Sequence, residues 1–370
     1  MKKKFYIIGH NPNSIEEVKK CLSDGANAIE PDIHYDEKKK EFYVYHMKKE
    51  KNSPLLKDYL QELETILKTT EYENKLAMIT FDIKTPTFDI NVFFELVEVH
   101  FANYFHKILI LATVASLENA QHMVRGELFF NQNRQRFPNS ALGIDGENDI
   151  DGIDSYFKSY DQKNYFFADG ITSLLPGPNV FHSISSALAK KATGNSFKLV
   201  YAWTINKEIG MKNYIDLGVD GLLTDDITEL SNLLKTNYKD THELAKMGDN
   251  TFATIPDPAY ILTVKTSDII EAGTNSIINI NIIGSNGSLN KKVSGSYKGM
   301  FERGDVNHIV INGDVGQISS ITVKLDDPKI KYKWHLSTIN IKSNITNESM
   351  DFVFNQWIDE NGVTISQVLV

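Results

Sequence analysis

The chain has 370 residues, 41% of them hydrophobic, a formal net charge of −9 and a single cysteine, Cys21. That length exceeds what one core usually holds, so two domains are the default. The acidic balance, with no basic block beyond short lysine runs, argues against a nucleic-acid partner. One cysteine excludes an intramolecular disulfide and a cysteine-based metal site.

Lys2–Lys4 open the chain like the start of a leader. Only four apolar residues follow before Gly9-His10, too few for its hydrophobic stretch, and no run approaches a membrane span. The chain is therefore either cytosolic or a mature secreted form whose leader is not in the sequence.

The first two-thirds alternate strand and helix patterns. Strands are expected at Phe5–His10, Ala28–Tyr35, Leu76–Lys84, Ile108–Val114, Ala141–Asp145, Tyr165–Ile171, Leu199–Ile205 and Gly221–Thr224. Helices are expected at Ser14–Asp24, Leu55–Lys68, Asn91–Phe105, Leu117–Arg125, Phe181–Lys191, Lys207–Leu217 and Ile227–Leu234. Eight strands alternating with helices predict a (β/α)8 TIM barrel over residues 1–236. Phe42–His46 is an extra extended piece after the second strand. Residues 237–257 are polar and end in Pro256-Asp257-Pro258, a linker composition. Beyond it, short strands separated by Gly, Asn and Asp predict an all-β sandwich over 258–370, with a hairpin turn at Asn286-Gly287.

Barrel enzymes work at the C-terminal ends of their strands. There the chain carries His10, then Glu30 and Asp32, then Asp82 and Lys84, then Trp203, then Asp225, with His46 ending the extra piece. Residues i and i+2 of a strand share a face, so Glu30 and Asp32 leave side by side. Carboxylates that close repel unless a cation lies between them, and three hard oxygen donors, Glu30, Asp32 and Asp82, suit Mg²⁺. His10 and His46 can supply the acid and base of phosphodiester cleavage near neutral pH. Lys84 adds positive charge for phosphoryl oxygens, and Trp203 can stack on a quaternary ammonium or a sugar. His34 shares the face of Asp32 and is left between a supporting role and a plain loop position.

Ile8-Gly9-His10-Asn11, Gly25–Ile33, Tyr45-His46, Phe81–Thr85, Asp169–Thr172, Tyr201–Thr204 and Gly218–Thr224 resemble the sphingomyelinase D/phospholipase D enzymes of recluse-spider venom, within the glycerophosphodiester phosphodiesterase superfamily. The resemblance implies a Mg²⁺-dependent phosphodiester lyase acting on sphingolipids or lysophospholipids. Such an enzyme releases the head-group alcohol and closes a cyclic phosphate through the lipid's own hydroxyl. It implies His10 and His46 as the acid/base pair, Glu30, Asp32 and Asp82 as metal ligands, and Lys84, Tyr201 and Trp203 toward substrate. Three departures stand out. Met47–Leu55 lacks the cysteines that staple this loop in the venom enzymes. Asp225 stands where the venom pattern has Asn, and Asn206 where it has Asp. The alternative is a hydrolase of soluble glycerophosphodiesters, although soluble members carry His-Arg where this chain has His10-Asn11. A catalytically dead barrel is a third reading, opposed by the intact set. Glu271–Asn275, Phe301–Gly304, Gly316–Ile318, Trp334–Leu336 and Gln356–Ile358 resemble a PLAT (lipoxygenase-homology) domain. That resemblance implies docking to a membrane surface or to a protein partner, with Ca²⁺ at Glu271, Asp305, Asp326 or Asp327 as an option.

Overall fold

The computed structural model describes residues 2–124, 136–162, 164–170, 180–249, 252, 257–294, 300–326 and 333–366. Ile171, Thr172, Arg125, Pro256 and Asp327, all named above, lie outside them. The chain opens with β1 (Lys3–His10), α1 (Ile15–Asp24), β2 (Ala28–Glu30), β3 (Asp32–Asp36), β4 (Glu41–Val44), α2 (Leu56–Leu67), β5 (Met78–Ile83) and α3 (Ile90–His100). It continues through β6 (Leu109–Val114), α4 (Leu117–Met123), β7 (Ser140–Asp145), α5 (Ile150–Ser159), β8 (Tyr165–Gly170) and α6 (Val180–Ala192). β9 (Leu199–Trp203), α7 (Glu208–Leu217), β10 (Gly221–Thr224), α8 (Ile227–Asn237) and β11 (His242–Leu244) complete this part.

β1 pairs in parallel with β2 on one side and β10 on the other, and the ring closes through β5, β6, β7, β8 and β9. This is the eight-stranded parallel barrel expected from the alternation. Its second stave breaks at Pro31, which has no N–H for the ladder. β3 then resumes beside β5 and turns into an antiparallel pair with β4.

Local chemistry explains the pieces. Ser14 and Glu17 form a reciprocal capping box on α1, and Gly25 ends the helix at φ 110°. Buried Asn27 accepts from the Ile7 amide at 2.7 Å and donates to the Phe5 and Ala245 carbonyls, tying β1 to the residue after β11. Inside, Tyr6, Ile8, Ala28, Met78, Leu111, Phe166 and Tyr201 form a continuous apolar filling. Gly143 leaves room for it, since a Cβ there would meet the Phe166 ring at 2.3 Å.

Two elements of the barrel region escaped the periodicity. α5 is capped by Asp149, whose side chain accepts from the Gly152 amide, and buries Ile150, Ile153 and Phe157. β11 pairs with β1 inside the stretch expected to be linker.

The compact units do not follow chain order. One contains 1–176, 197–212 and 219–254; the other contains 177–196, 213–218 and 255–370. In the second, β12 (Ala259–Thr266), β13 (Ile277–Gly284), β14 (Gly287–Ser294), β15 (Val306–Asn312), β16 (Ile318–Leu325), β17 (Trp334–Ser343), β18 (Ser349–Ile358) and β19 (Val363–Ser366) form two antiparallel sheets. Their orders are β15-β12-β17-β18 and β14-β13-β16-β19. Trp334, Leu262, Ile280, Ile339 and Phe352 fill the space between, and Trp334 Nε1 donates to Thr266 Oγ1 at 3.1 Å. α6 belongs to this unit, where Ala189 and Ala192 pack with Ile261. The β13–β14 turn is Ser285-Asn286, one residue earlier than expected, because Gly284 and Gly287 pair across it.

Candidate active site

Strand register brings the charged ends level. His10 lies opposite Glu30, Asp32 opposite Asp82, and Gly9 opposite Thr224. One carboxylate oxygen from each of Glu30, Asp32 and Asp82 lies within 4.8 Å of the other two. Among the described residues this is the only such group of three or more potential ligands.

Burial makes the cluster costly. Asp32 is 0% exposed and Glu30 4%. Burial, then the Asp82 and Asp32 charges, push the Glu30 carboxyl well above the usual glutamate range. Lys84 reaches Asp32 Oδ1 at 2.9 Å and bonds Asp82. Burial opposes its charge, but Asp82 and Asp32 outweigh it and hold the ammonium above the ordinary lysine value. Three carboxylates against one ammonium leave two formal negative charges for a divalent cation to neutralise. Asp32 Oδ1 is buried and takes no hydrogen bond beyond its ion pair with Lys84. Hard oxygens, excess negative charge and that oxygen together fit an ion such as Mg²⁺.

Each histidine is gripped at Nδ1 by a carboxylate. His10 Nδ1 lies 2.7 Å from Asp225 Oδ1, and His46 Nδ1 lies 3.0 Å from Asp32 Oδ2. A carboxylate only accepts, so both rings carry a proton on Nδ1 and present Nε2 to a reactant. His10 stands in register with Glu30 and is held by Asp225, while His46 is held by Asp32 itself, so different carboxylates fix the two imidazoles.

Several supporting residues were missed in the sequence. Asn13 donates to Asp32 Oδ2 at 3.0 Å and accepts from the Asp32 amide at 2.8 Å. The Asn11 amide bonds Glu30 Oε2 at 3.1 Å, from a backbone at φ 54°. The run His10-Asn11-Pro12-Asn13, with two short amides straight after a strand end, was the available signal. Asn206 Nδ2 donates to Asp225 Oδ2 at 2.6 Å, while its Oδ1 accepts from the Asp225 amide and Thr224 Oγ1. Asp145, at the end of β7, accepts from Trp203 Nε1. Burial raises its carboxyl well above the usual aspartate range, with Asp82 adding to the effect. Gly170 lets Trp203 sit close, since a Cβ there would fall 1.5 Å from the Trp203 carbonyl oxygen. Tyr201 lies beneath this mouth, close enough for the Asp145, Glu30 and Asp82 charges to reach its hydroxyl. Its side chain is 1% exposed, lies in the barrel filling, and its hydroxyl pairs with Thr80 Oγ1 at 3.2 Å.

Residues 1–252 match the family model for the dermonecrotic toxin SPH, about two-thirds of the chain. The chain belongs to the dermonecrotic toxin SPH family. Residues 260–369 match the PLAT/LH2 domain, so this SPH protein carries the second domain that its motifs suggested. It is 26% identical over 282 residues to a dermonecrotic toxin of Loxosceles laeta, covering 66% of this chain and 98% of that one. It is 27% identical over 274 residues to one of Loxosceles apachea, covering 67% and 99%. A solved glycerophosphodiester phosphodiesterase from Parabacteroides distasonis is similar at 16% identity and TM-score 0.44, covering 64% of this chain and all of the other. Among the described residues of this SPH protein, no helix is long and apolar enough to cross a membrane.

Proposed function

We propose that this SPH protein is a Mg²⁺-dependent phospholipase D-type lyase that cleaves the head-group alcohol from sphingolipids or lysophospholipids. One observation carries the reading. Two imidazoles, each fixed at Nδ1 by a carboxylate, flank a buried three-carboxylate cluster with uncompensated charge. Glu30, Asp32 and Asp82 would hold the ion, which when bound would polarise the phosphoryl group.

One imidazole Nε2 takes the proton of the lipid hydroxyl as its oxygen attacks phosphorus. The other gives a proton to the departing head-group oxygen as its bond to phosphorus breaks, closing a cyclic phosphate. Lys84 offsets charge on the phosphoryl oxygens. Trp203, set against the buried Asp145 carboxylate, suits a cationic head group. Tyr201, buried below, would form the floor of that pocket and carry no direct contact.

We assign catalysis to residues 1–252, because β11, Ala245 and Phe252 from the stretch expected to be linker join the barrel, with linkage reduced to 253–257 and docking assigned to 258–370, and infer a secreted protein. Membrane contact would rest on aliphatic tips of the sandwich, where Ile270 is 78% exposed and Ile269 43%. Of the acids considered for Ca²⁺, Asp326 is already paired with Lys292 and Lys324. Glu271 and Asp305 remain as Ca²⁺ candidates.

The test is ³¹P NMR of products from sphingomyelin, lysophosphatidylcholine and glycerophosphocholine. A cyclic phosphate from either lipid supports the lyase. Turnover confined to glycerophosphocholine, with a linear phosphate product, would replace it by the soluble hydrolase.

A further inference from the structure

His46 carries its chemistry on a loop that no disulfide can staple, because the chain's one cysteine is Cys21, buried in α1. Met47 beside it is 86% exposed. The far side of the loop is tied down by the Val44 amide bonding the Pro54 carbonyl at 3.0 Å and by a bridge between Tyr43 and Leu55. The near side is held by the Tyr45 amide on the Asp32 carbonyl at 3.2 Å and by one side chain that no assigned role covers.

His34 follows Asp32 by two positions in β3 and so shares its face. Its Nε2 lies 3.0 Å from the His46 carbonyl oxygen. That oxygen can only accept, so His34 carries its proton on Nε2 and donates. Its Nδ1 then accepts from Thr85 Oγ1, 3.4 Å away just past the end of β5. The His34 ring also stacks on Tyr45, centroids 3.8 Å apart and 5° from parallel. Asp32 holds the His46 imidazole and His34 holds its backbone, both from one strand face. A residue pinned at only one of these points could swing about it.

We propose that His34 is a positioning residue for His46, clamping the start of the 46–53 loop between Tyr45 and Thr85 so that the imidazole meets the phosphorus centre at a fixed angle. The role of His46 in this statement rests on the proposed function. The clamp itself does not.

The experiment uses the full-length chain and two readouts. The first is tryptic nicking of the folded protein after Lys48, Lys49 or Lys51, followed by mass. The second is steady-state release of head group from lysophosphatidylcholine with Mg²⁺. His34→Leu keeps bulk and loses the donor; His34→Gln keeps a donor at similar reach; Tyr45→Phe keeps the stacked ring. Losing one neutral hydrogen bond shifts a local opening equilibrium about five-fold, so His34→Leu should nick about five times faster. Its kcat should fall about ten-fold or more with KM nearly unchanged, since a small misplacement of a reacting group costs rate and not binding. His34→Gln and Tyr45→Phe should stay near wild type in both. Melting temperature is recorded for each variant, and a fall shared by His34→Leu and His34→Gln with equal loss of activity overturns the clamp in favour of a general packing role. Unchanged nicking and kcat in His34→Leu also overturn it. Faster nicking with normal kcat overturns the positioning role. If the wild type turns over no lipid, the functional reading fails, and nicking alone decides the clamp.

Discussion

Asp225 and Asn206 stand exchanged relative to the venom pattern, and the geometry predicts what exchanging them back does. In Asp225→Asn, the new amide faces the Asn206 Nδ2 donor where a carboxylate oxygen accepted at 2.6 Å. One hydrogen bond is lost, and the charge that held His10 at 2.7 Å goes with it. The Asp225 side chain is 54% exposed, which puts this bond at the weak end of charge-assisted pairs, about 1.5 kcal/mol. That is about a ten-fold fall in kcat. In Asn206→Asp, two carboxylates face each other at that separation. Their repulsion is about 1.6 kcal/mol even at the dielectric of water, so the loss is again ten-fold or more. The double variant Asp225→Asn/Asn206→Asp restores a donor facing an acceptor, while the new carboxylate at position 206 still accepts from the residue 225 amide and Thr224 Oγ1. It should recover to within about three-fold of wild type, a coupling of the size contacting residues show. The assay is head-group release from lysophosphatidylcholine in all four proteins, with melting temperatures alongside. Two near-normal single variants, or a double variant no better than the worse single, would refute the view that these side chains act through His10 orientation.

Three further outcomes are expected. Burial and the neighbouring carboxylates raise Glu30, so the folded chain holds that proton more tightly than the unfolded chain; the associated stability is complete below the ordinary glutamate value of 4.5 and is lost as pH rises through the raised folded value. With a chelator at pH 8, Glu30→Gln should therefore melt above wild type, the gap should close toward pH 4.5, and Mg²⁺ should stabilise only the wild type; a variant that melts lower at pH 8 contradicts the buried-charge argument. His10→Ala and His46→Ala should each lose at least about 10³-fold in kcat while keeping near-normal melting, because both side chains lie at the solvent-facing mouth; residual activity within ten-fold in either would remove it from the acid/base pair. Ile270→Asp should leave turnover of micellar lysolipid unchanged and weaken sedimentation with phosphatidylcholine vesicles several-fold, since one exposed aliphatic tip is exchanged for a charge; equal sedimentation would point docking to another face.

Much of the architecture was legible in the chain because it is local. The alternation of strand and helix periods predicts the barrel, and the change to short strands after Pro258 predicts the sandwich. His10, Glu30, Asp32, Asp82, Lys84 and Trp203 stand at strand ends in the sequence itself, and the barrel rule sends such ends to one mouth. The i, i+2 rule even puts Glu30, Asp32 and His34 on their correct face. Pairings across the closed ring are another matter. His10 and Asp225 are 215 residues apart and meet only because β1 lies beside β10. Asp145 and Trp203 meet through β7, β8 and β9 lying side by side, and Asn13 reaches Asp32 across a loop. Periodicity reports which face a residue uses and is silent on the rotamer that takes it up into the mouth or down into the filling. Tyr201 shows this: two residues before Trp203 and on its face, it packs against Phe166 in the interior. α5 escaped because its strongest marker is a single capping Asp, and β11 because three residues carry no period. The chemistry held at the mouth is written in the chain; which groups orient which follows from the order in which the strands close, because that depends on neighbours the chain meets only once folded.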